Sequence, residues 1–214
     1  MTESDPPLFY TIRPMEPGDV PTVVVIDQLS FPTPWLASSY LYELRHPAQS
    51  RYYVLLKPKP DAEPSSGLRG RWLRWAQRAL GRSEPSRVIG YVGFRFDFDE
   101  AHISTIAVQP DWRGKGLGEL LLLTALEKAL QLGFYSITLE VRPSNRVAQR
   151  LYRKYGFRFT GVHPNYYRDG EDAWLMRATI GHEAYRARLV ELRREVRARL
   201  PFHSDVGQND GDTL

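Results

Sequence analysis

The 214-residue chain contains no cysteine. That absence excludes disulfides, thiolate metal sites and a cysteine nucleophile. Histidine is sparse, and His46, His102, His163, His182 and His203 show no paired ligand spacing, so no metal is expected. No Ser-His-Asp order stands out, and no internal repeat is found. No run is apolar enough to cross a bilayer, and the opening MTESDPPLFY lacks a basic stretch followed by an apolar one. Neither a transmembrane segment nor a signal peptide is expected, and the expected location is cytoplasmic.

What is present suits one α/β domain with appendages: 42% of residues are hydrophobic, enough for a sizeable core. The net charge of +4 is unevenly spread. Between Lys57 and Arg87 eight Lys/Arg face three Asp/Glu, a local +5, while the rest of the chain carries 21 basic and 22 acidic residues, a net −1. Within this basic stretch Lys57–Ser66 is proline-rich and polar. Leu68–Gly81 has helical spacing, with Leu68, Trp72, Trp75, Ala76 and Ala79 on one face and arginines around the rest. The two tryptophans suit docking onto the parent domain, contact with RNA, or an anionic membrane surface. Nothing points to DNA.

The segment His102–Phe157 organises the chain. His102–Val108 alternates and is β-branched, as in a half-buried strand. Arg113-Gly114-Lys115-Gly116-Leu117-Gly118 makes a glycine-rich turn. Leu117, Leu120, Leu121, Leu123, Thr124, Leu126 and Leu130 then follow helical spacing to a stop at Gly133. Ser136–Val141 reads as a second strand, and Ser144 or Asn145 caps a short helix ending at Gly156. Glycines on alternate positions let backbone N–H groups approach an anion at a helix start, and Arg113 adds charge for a pyrophosphate. A Walker A loop is excluded because Glu119, not Lys-Ser/Thr, follows the last glycine. A Rossmann fingerprint fails because Glu119 holds its third glycine position.

Around this core the predicted elements are a strand at Leu8–Arg13, a helix from Gly18-Asp19, and a stiff aromatic connection Phe31-Pro32-Thr33-Pro34-Trp35. A helix from Ser38 or Ser39 to about Arg45 follows, then a strand Arg51–Leu56 paired with Val88–Phe96. Arg158–Val162 and Ala173–Ala178 are the last two strands. Tyr185, Leu189, Leu192, Val196 and Leu200 mark a C-terminal helix that packs on the domain or pairs with another chain. The expected layout is a domain over 8–180 with the 57–87 insertion, a helix over 181–200, and a disordered tail over 201–214.

Ile106-Ala107-Val108, Arg113-x-x-Gly116-x-Gly118, Leu139-Glu140-Val141-Arg142-x-x-Asn145 and Leu151-Tyr152-x-x-Tyr155-Gly156-Phe157 resemble, in order and spacing, the GNAT N-acetyltransferase family. Within it they are similar to the ribosomal-protein-alanine N-acetyltransferases of the RimI type. Asn165-Tyr166-Tyr167-x-Asp169-Gly170-x-Asp172-Ala173 matches what protein N-terminal acetyltransferases carry. The resemblance runs from about Leu8 to Thr179 around the insertion. It implies a GNAT fold: α/β, a mixed, mostly antiparallel central sheet flanked by helices, with a splayed strand pair at the cofactor site.

It also implies acetyl-CoA as cosubstrate and the N-terminal α-amine of a protein as acceptor, an alanine-starting ribosomal protein in the RimI case. Two alternatives stay open: acetylation of lysine or a small-molecule amine, and a non-catalytic CoA-sensing or ribosome-binding module. Glu140 points away from Ile137, Leu139 and Val141. It is the candidate general base, or else the partner of Arg142 or Arg168 in a structural salt bridge. Tyr152 is the implied general acid, or else a core ring against Leu151 and Phe157; Tyr155 is its closest rival and reads as a packing residue. The implied cofactor contacts are the backbone of Ile106, Ala107 and Val108, the turn Arg113, Gly114, Lys115, Gly116, Leu117 and Gly118, and Asn145, which also suits a helix cap. Phe31, Pro32, Trp35, Tyr166 and Tyr167 are the candidates for holding the substrate.

Overall fold

The computed structural model describes residues 9–58 and 87–204. The proline-rich stretch Lys57–Ser66 and the helix expected over Leu68–Gly81 therefore lie, apart from Lys57 and Pro58, outside the described residues. The elements are β1 (Tyr10–Pro14), α1 (Val20–Ser30), α2 (Ala37–Arg45), β2 (Ser50–Leu56), β3 (Val88–Asp97), β4 (Glu100–Val108) and α3 (Leu117–Gln131). They continue as β5 (Ser136–Val141), α4 (Arg146–Lys154), β6 (Arg158–His163), β7 (Ala173–Thr179), α5 (Glu183–Arg199) and β8 (Phe202–Ser204). One eight-stranded sheet has the order β6-β7-β5-β4-β3-β2-β1-β8. Its pairs are antiparallel except β4–β5 and β1–β8.

Local chemistry sets the boundaries. Before α1, Arg13 grips Asp19 with two nitrogens at 2.7 and 2.8 Å, and the Asp19 carboxylate accepts from the Glu16 N–H. The α3 helix starts from Gly116, whose left-handed φ of 81° suits glycine, and ends before Gly133, whose φ is 90°. The cap of α4 is Asn145, whose side chain accepts from the Ala148 N–H at 3.1 Å.

Helix α3 is buried nearly all round because the sheet covers one side and α5 the other, with Leu189, Leu192 and Val196 joining the same core. The C-terminal helix thus packs on its own domain. Helices α1 and α2 cover the opposite sheet face through Val20, Val23, Ile26 and Tyr40. The tail expected from residue 201 is corrected at its start: Phe202–Ser204 pairs in parallel with β1, and Pro201 accepts from the Tyr10 N–H at 3.0 Å. Backbone groups along the β1 edge would otherwise lack strand partners, and pairing satisfies them. Residues 205–214 lie outside the described residues.

Two irregularities in β4 make the cleft. Thr105 pairs with Gly93 and Ile103 with Phe94, so Ser104 is an extra, bulged residue. Ala101 and Ile103 face α3 before the bulge, and Ile106 and Val108 face it afterwards, an offset that strict alternation does not permit. On the other edge, β4 pairs with β5 only from Glu100–Ser136 to Ile103–Leu139. Beyond that point Ile106, Ala107 and Val108 pair with β3 alone, while Glu140 and Val141 pair with β7. The two parallel strands have splayed.

Candidate active site

The splay opens toward the start of α3. Gly114 and Gly116 take left-handed φ of 77° and 81°, which turn the chain from Pro110–Trp112 into the helix. A Cβ at Gly114 or Gly118 would meet no protein atom within 4 Å, so the backbone is open at these two positions, whereas one at Gly116 would stand 3.2 Å from the Leu200 side chain. The first N–H groups of a helix have no partner within it and carry the positive end of its dipole, a ready site for a phosphate anion. Arg113 does not point freely at that space: its Nε donates to Val108 O at 2.9 Å and its Nη2 to Ser30 Oγ at 2.8 Å. It ties the turn to the end of β4. Lys115 stands over the Trp112 ring at 4.7 Å.

Glu140 lies one residue past the last β4–β5 pair, on the α1/α2 face. Neither suggested arginine is its partner. Arg142 instead bonds Asp169 at 2.8 Å and Glu171 at 2.7 Å, and holds both carboxyls below the usual carboxylate range. The partner of Glu140 is His102 on β4, Nε2 to Oε2 2.9 Å. Metal-ligand spacing does not single out this histidine in the sequence. Its visible signal was a lone polar ring between Ala101 and Ile103, matching the lone carboxylate between Leu139 and Val141.

The turn between β6 and β7 lies close to Glu140. Arg142 sits 3.7 Å over the Tyr167 ring while bonding Asp169 and Glu171, so one guanidinium pins the turn to the end of β5. Tyr166 and Tyr167 meet edge to face at 5.1 Å. Burial, followed by the Glu140 charge, raises the Tyr166 phenol. Tyr167 is pushed up to about 12, by burial first, with Arg142 opposing and Tyr166 and Glu140 adding. Both hydroxyls stay neutral donors at neutral pH.

Tyr152 belongs to the core on the α3 side, its ring 5.7 Å from Phe157. Burial and then the neighbouring Tyr167 push its phenol well up. No protein hydrogen bond to its hydroxyl is found among the described residues. Tyr155 differs: its hydroxyl donates to Glu119 at 3.1 Å, which commits it to the fold. Asn145 is engaged as the α4 cap.

Trp35 lines a cavity of about 660 Å³ with Pro34, Leu36, Tyr42, Glu43 and, from the β6–β7 turn, Arg168. Phe31 and Pro32 are not on its wall; Phe31 packs against the α1/α2 core. Among the described residues no group of three or more His, Asp or Glu could hold a metal, and no helix is long and apolar enough to cross a membrane.

A parallel pair splayed beside a glycine-rich helix start, with a carboxylate at the fork and a tyrosine turn close by, defines a class: an α/β protein whose mixed sheet splits next to a helix N-terminus. A profile described as "Acetyltransferase (GNAT) family" matches residues 34–157. The "Putative ribosomal protein bS18-alanine N-acetyltransferase" of Bacillus subtilis is 33% identical over 170 residues, 79% of this chain and 95% of that one. The crystal structure of the ribosomal-protein-S18-alanine N-acetyltransferase from Escherichia coli superposes with a TM-score of 0.62 at 25% identity, over 81% of this chain and 96% of that one. Ard1 from Thermoplasma volcanium gives a TM-score of 0.62 at 27% identity, over 79% and 97%. The chain belongs to the GNAT family of acetyltransferases.

Proposed function

We propose that this acetyltransferase moves the acetyl group of acetyl-CoA directly onto the N-terminal α-amine of a protein. The observation that carries the reading is the placement of Glu140: at the fork of the splay, bonded to His102 and beside the Tyr166–Tyr167 turn. The names of the relatives support an alanine-starting ribosomal protein as the acceptor.

Acetyl-CoA supplies an activated thioester. Its pyrophosphate fits the turn from Gly114 to Gly118, whose backbone is open at both of those glycines, with Lys115, Gly116 and Leu117 between them and Arg113 bracing it. Its pantetheine arm fits the strand edge that Ile106, Ala107 and Val108 leave unpaired toward β5, and one N–H there faces the thioester oxygen as it gains charge. Asn145, at the start of α4, borders the same arm. The attacking amine must be neutral, and an α-amine with a pKa of about 8 needs only a modest base. Glu140, with His102 on its other side, takes that proton through a water. Tyr152 returns one to the departing sulfur. In water, phenol to thiolate is uphill, and burial raises the phenol further; the same burial also disfavours the thiolate, so the two costs offset. Tyr166 and Tyr167 narrow the slot to a chain terminus, and the following residues run over Trp35 and the cavity toward Arg168, with Phe31 and Pro32 behind.

The test is CoA release with a panel of free N-terminal peptides beginning Ala, Ser and Met, N-blocked lysine peptides and small amines. Release with free N-termini alone is expected. Release with lysine or small amines would move the assignment within the family, and binding of acetyl-CoA without release for any acceptor would favour a CoA-sensing or ribosome-binding role.

A further inference from the structure

Three contacts in series join two carboxylates through His102. Glu140 Oε2 lies 2.9 Å from Nε2, Nδ1 lies 3.0 Å from Thr138 Oγ1, and that oxygen lies 3.1 Å from Glu100 Oε1. Each contact needs one hydrogen between its heavy atoms. A neutral imidazole brings one ring hydrogen and the threonine hydroxyl another, while ionised carboxylates bring none. Two hydrogens would then serve three contacts, leaving two acceptors facing each other at about 3 Å. An imidazolium supplies the third hydrogen. With both carboxylates ionised, only the charged ring fills the whole row.

The row is built by strand register and not by loops. Glu100 stands opposite Ser136 and His102 opposite Thr138 in the short parallel stretch that ends at the splay. Thr138 is buried, and its other acceptor, Ala101 O, is farther at 3.4 Å. Glu100 is anchored by Ser136 Oγ at 3.0 Å and by an ion pair to Arg177 on β7. Among the described residues, the remaining titratable groups near the row are Arg95, which stands opposite His102 on β3 and lies 3.6 Å from Glu43, and Tyr166 and Tyr167, which sense the Glu140 charge from the β6–β7 turn.

We infer that Glu100 and Thr138 are positioning residues for the transfer: Glu100, acting through Thr138, keeps a hydrogen on both ring nitrogens of His102, so that Nε2–H holds the Glu140 carboxylate aimed. This rests on the reading of Glu140 as the proton acceptor.

The experiment uses the full chain with acetyl-CoA and an accepted peptide. Thr138→Val keeps the shape and removes the hydroxyl; it is expected to lower kcat about tenfold with the KM for acetyl-CoA unchanged. Thr138→Ser should restore the activity. In a His102→Ala background Thr138→Val should cost nothing further, since it acts only through the ring. Ring 15N spectra should show hydrogen on both nitrogens of His102 in the parent and in Thr138→Ser, and on one in Thr138→Val. Full activity in Thr138→Val, an equal loss in the His102→Ala background, or failure of Thr138→Ser to rescue would each overturn the inference. Should Thr138→Val not fold, Glu100→Gln, at a partly exposed site, carries the same comparison. Glu140→Gln separates the two readings: if it is fully active the base assignment falls, and if it is impaired while Thr138→Val is not, only the positioning role falls.

Discussion

The ring of Tyr52 fills the place where a side chain on Gly93 would stand: a Cβ there would lie 2.0 Å from a ring carbon. The two residues face each other across β2 and β3, and on its other edge Gly93 pairs with Thr105, beside the bulge at Ser104. Tyr52 is 4% exposed and cannot swing into solvent. Gly93→Ala is therefore expected to cost about 1–3 kcal/mol through overpacking, and to lower activity because the strain falls on β4 where the cleft begins. Urea unfolding and CoA release measure both. An unchanged midpoint would mean that the β2–β3 pair yields more easily than its packing implies.

Glu140→Gln keeps the size and removes the proton acceptor. A loss of about 10²–10⁴ in kcat/KM is expected near neutral pH. The loss should shrink as the pH passes about 8, where the amine is already free. A pH–rate profile from 6.5 to 9.5 gives the answer; a loss equal at every pH would leave Glu140 with binding and no proton transfer.

Tyr152→Phe and Tyr155→Phe should part company. Removing the unpartnered Tyr152 hydroxyl should lower kcat by about 10²-fold with acetyl-CoA affinity kept. Removing the Tyr155 hydroxyl breaks its bond to Glu119 and should cost about 1–2 kcal/mol of stability with kcat kept. The reverse pattern would exchange their roles.

Glu119, in the first turn of α3, joins Lys154 at 2.7 Å and Arg199 at 3.0 Å and so ties α4 and α5 to the glycine turn. Burial by itself would raise its carboxyl, but the hydrogen bonds from Lys154 and Arg199 outweigh it and the net shift is downward. A carboxyl lowered on folding stabilises the protein above its unfolded value of about 4.3 and loses that contribution as the pH falls through the folded value. Stability should therefore drop on acidification below about pH 5, and Glu119→Gln should be less stable at neutral pH with a shallower acid slope. Unfolding midpoints at pH 7, 5 and 3.5 test this.

The bulge at Ser104 shows where reading by pattern ends. Alternation across His102–Val108 places His102 and Val108 on one face, whereas the extra residue puts them on opposite faces. Likewise Arg142 was visible only as a neighbour of Glu140; its attachment to Tyr167, Asp169 and Glu171 spans the chain from β5 to the β6–β7 turn. The strand at Phe202–Ser204 needs the open edge of β1, a partner nearly 200 residues away in the chain.

By itself the sequence determined whatever depends on near neighbours along the chain. The leucine spacing of α3, the glycines that start and stop it, the asparagine cap and the outward side of Glu140 all follow from 3.6- and 2-residue periods and from backbone freedom. Tertiary structure alone decided which polar groups meet. His102 and Glu140 are 38 positions apart in the chain yet 2.9 Å apart in space because β4 and β5 pair in one register and then separate. Register between parallel strands is set by the packing of α3 and α1 on the two faces, a balance of many small burial energies that no local pattern encodes.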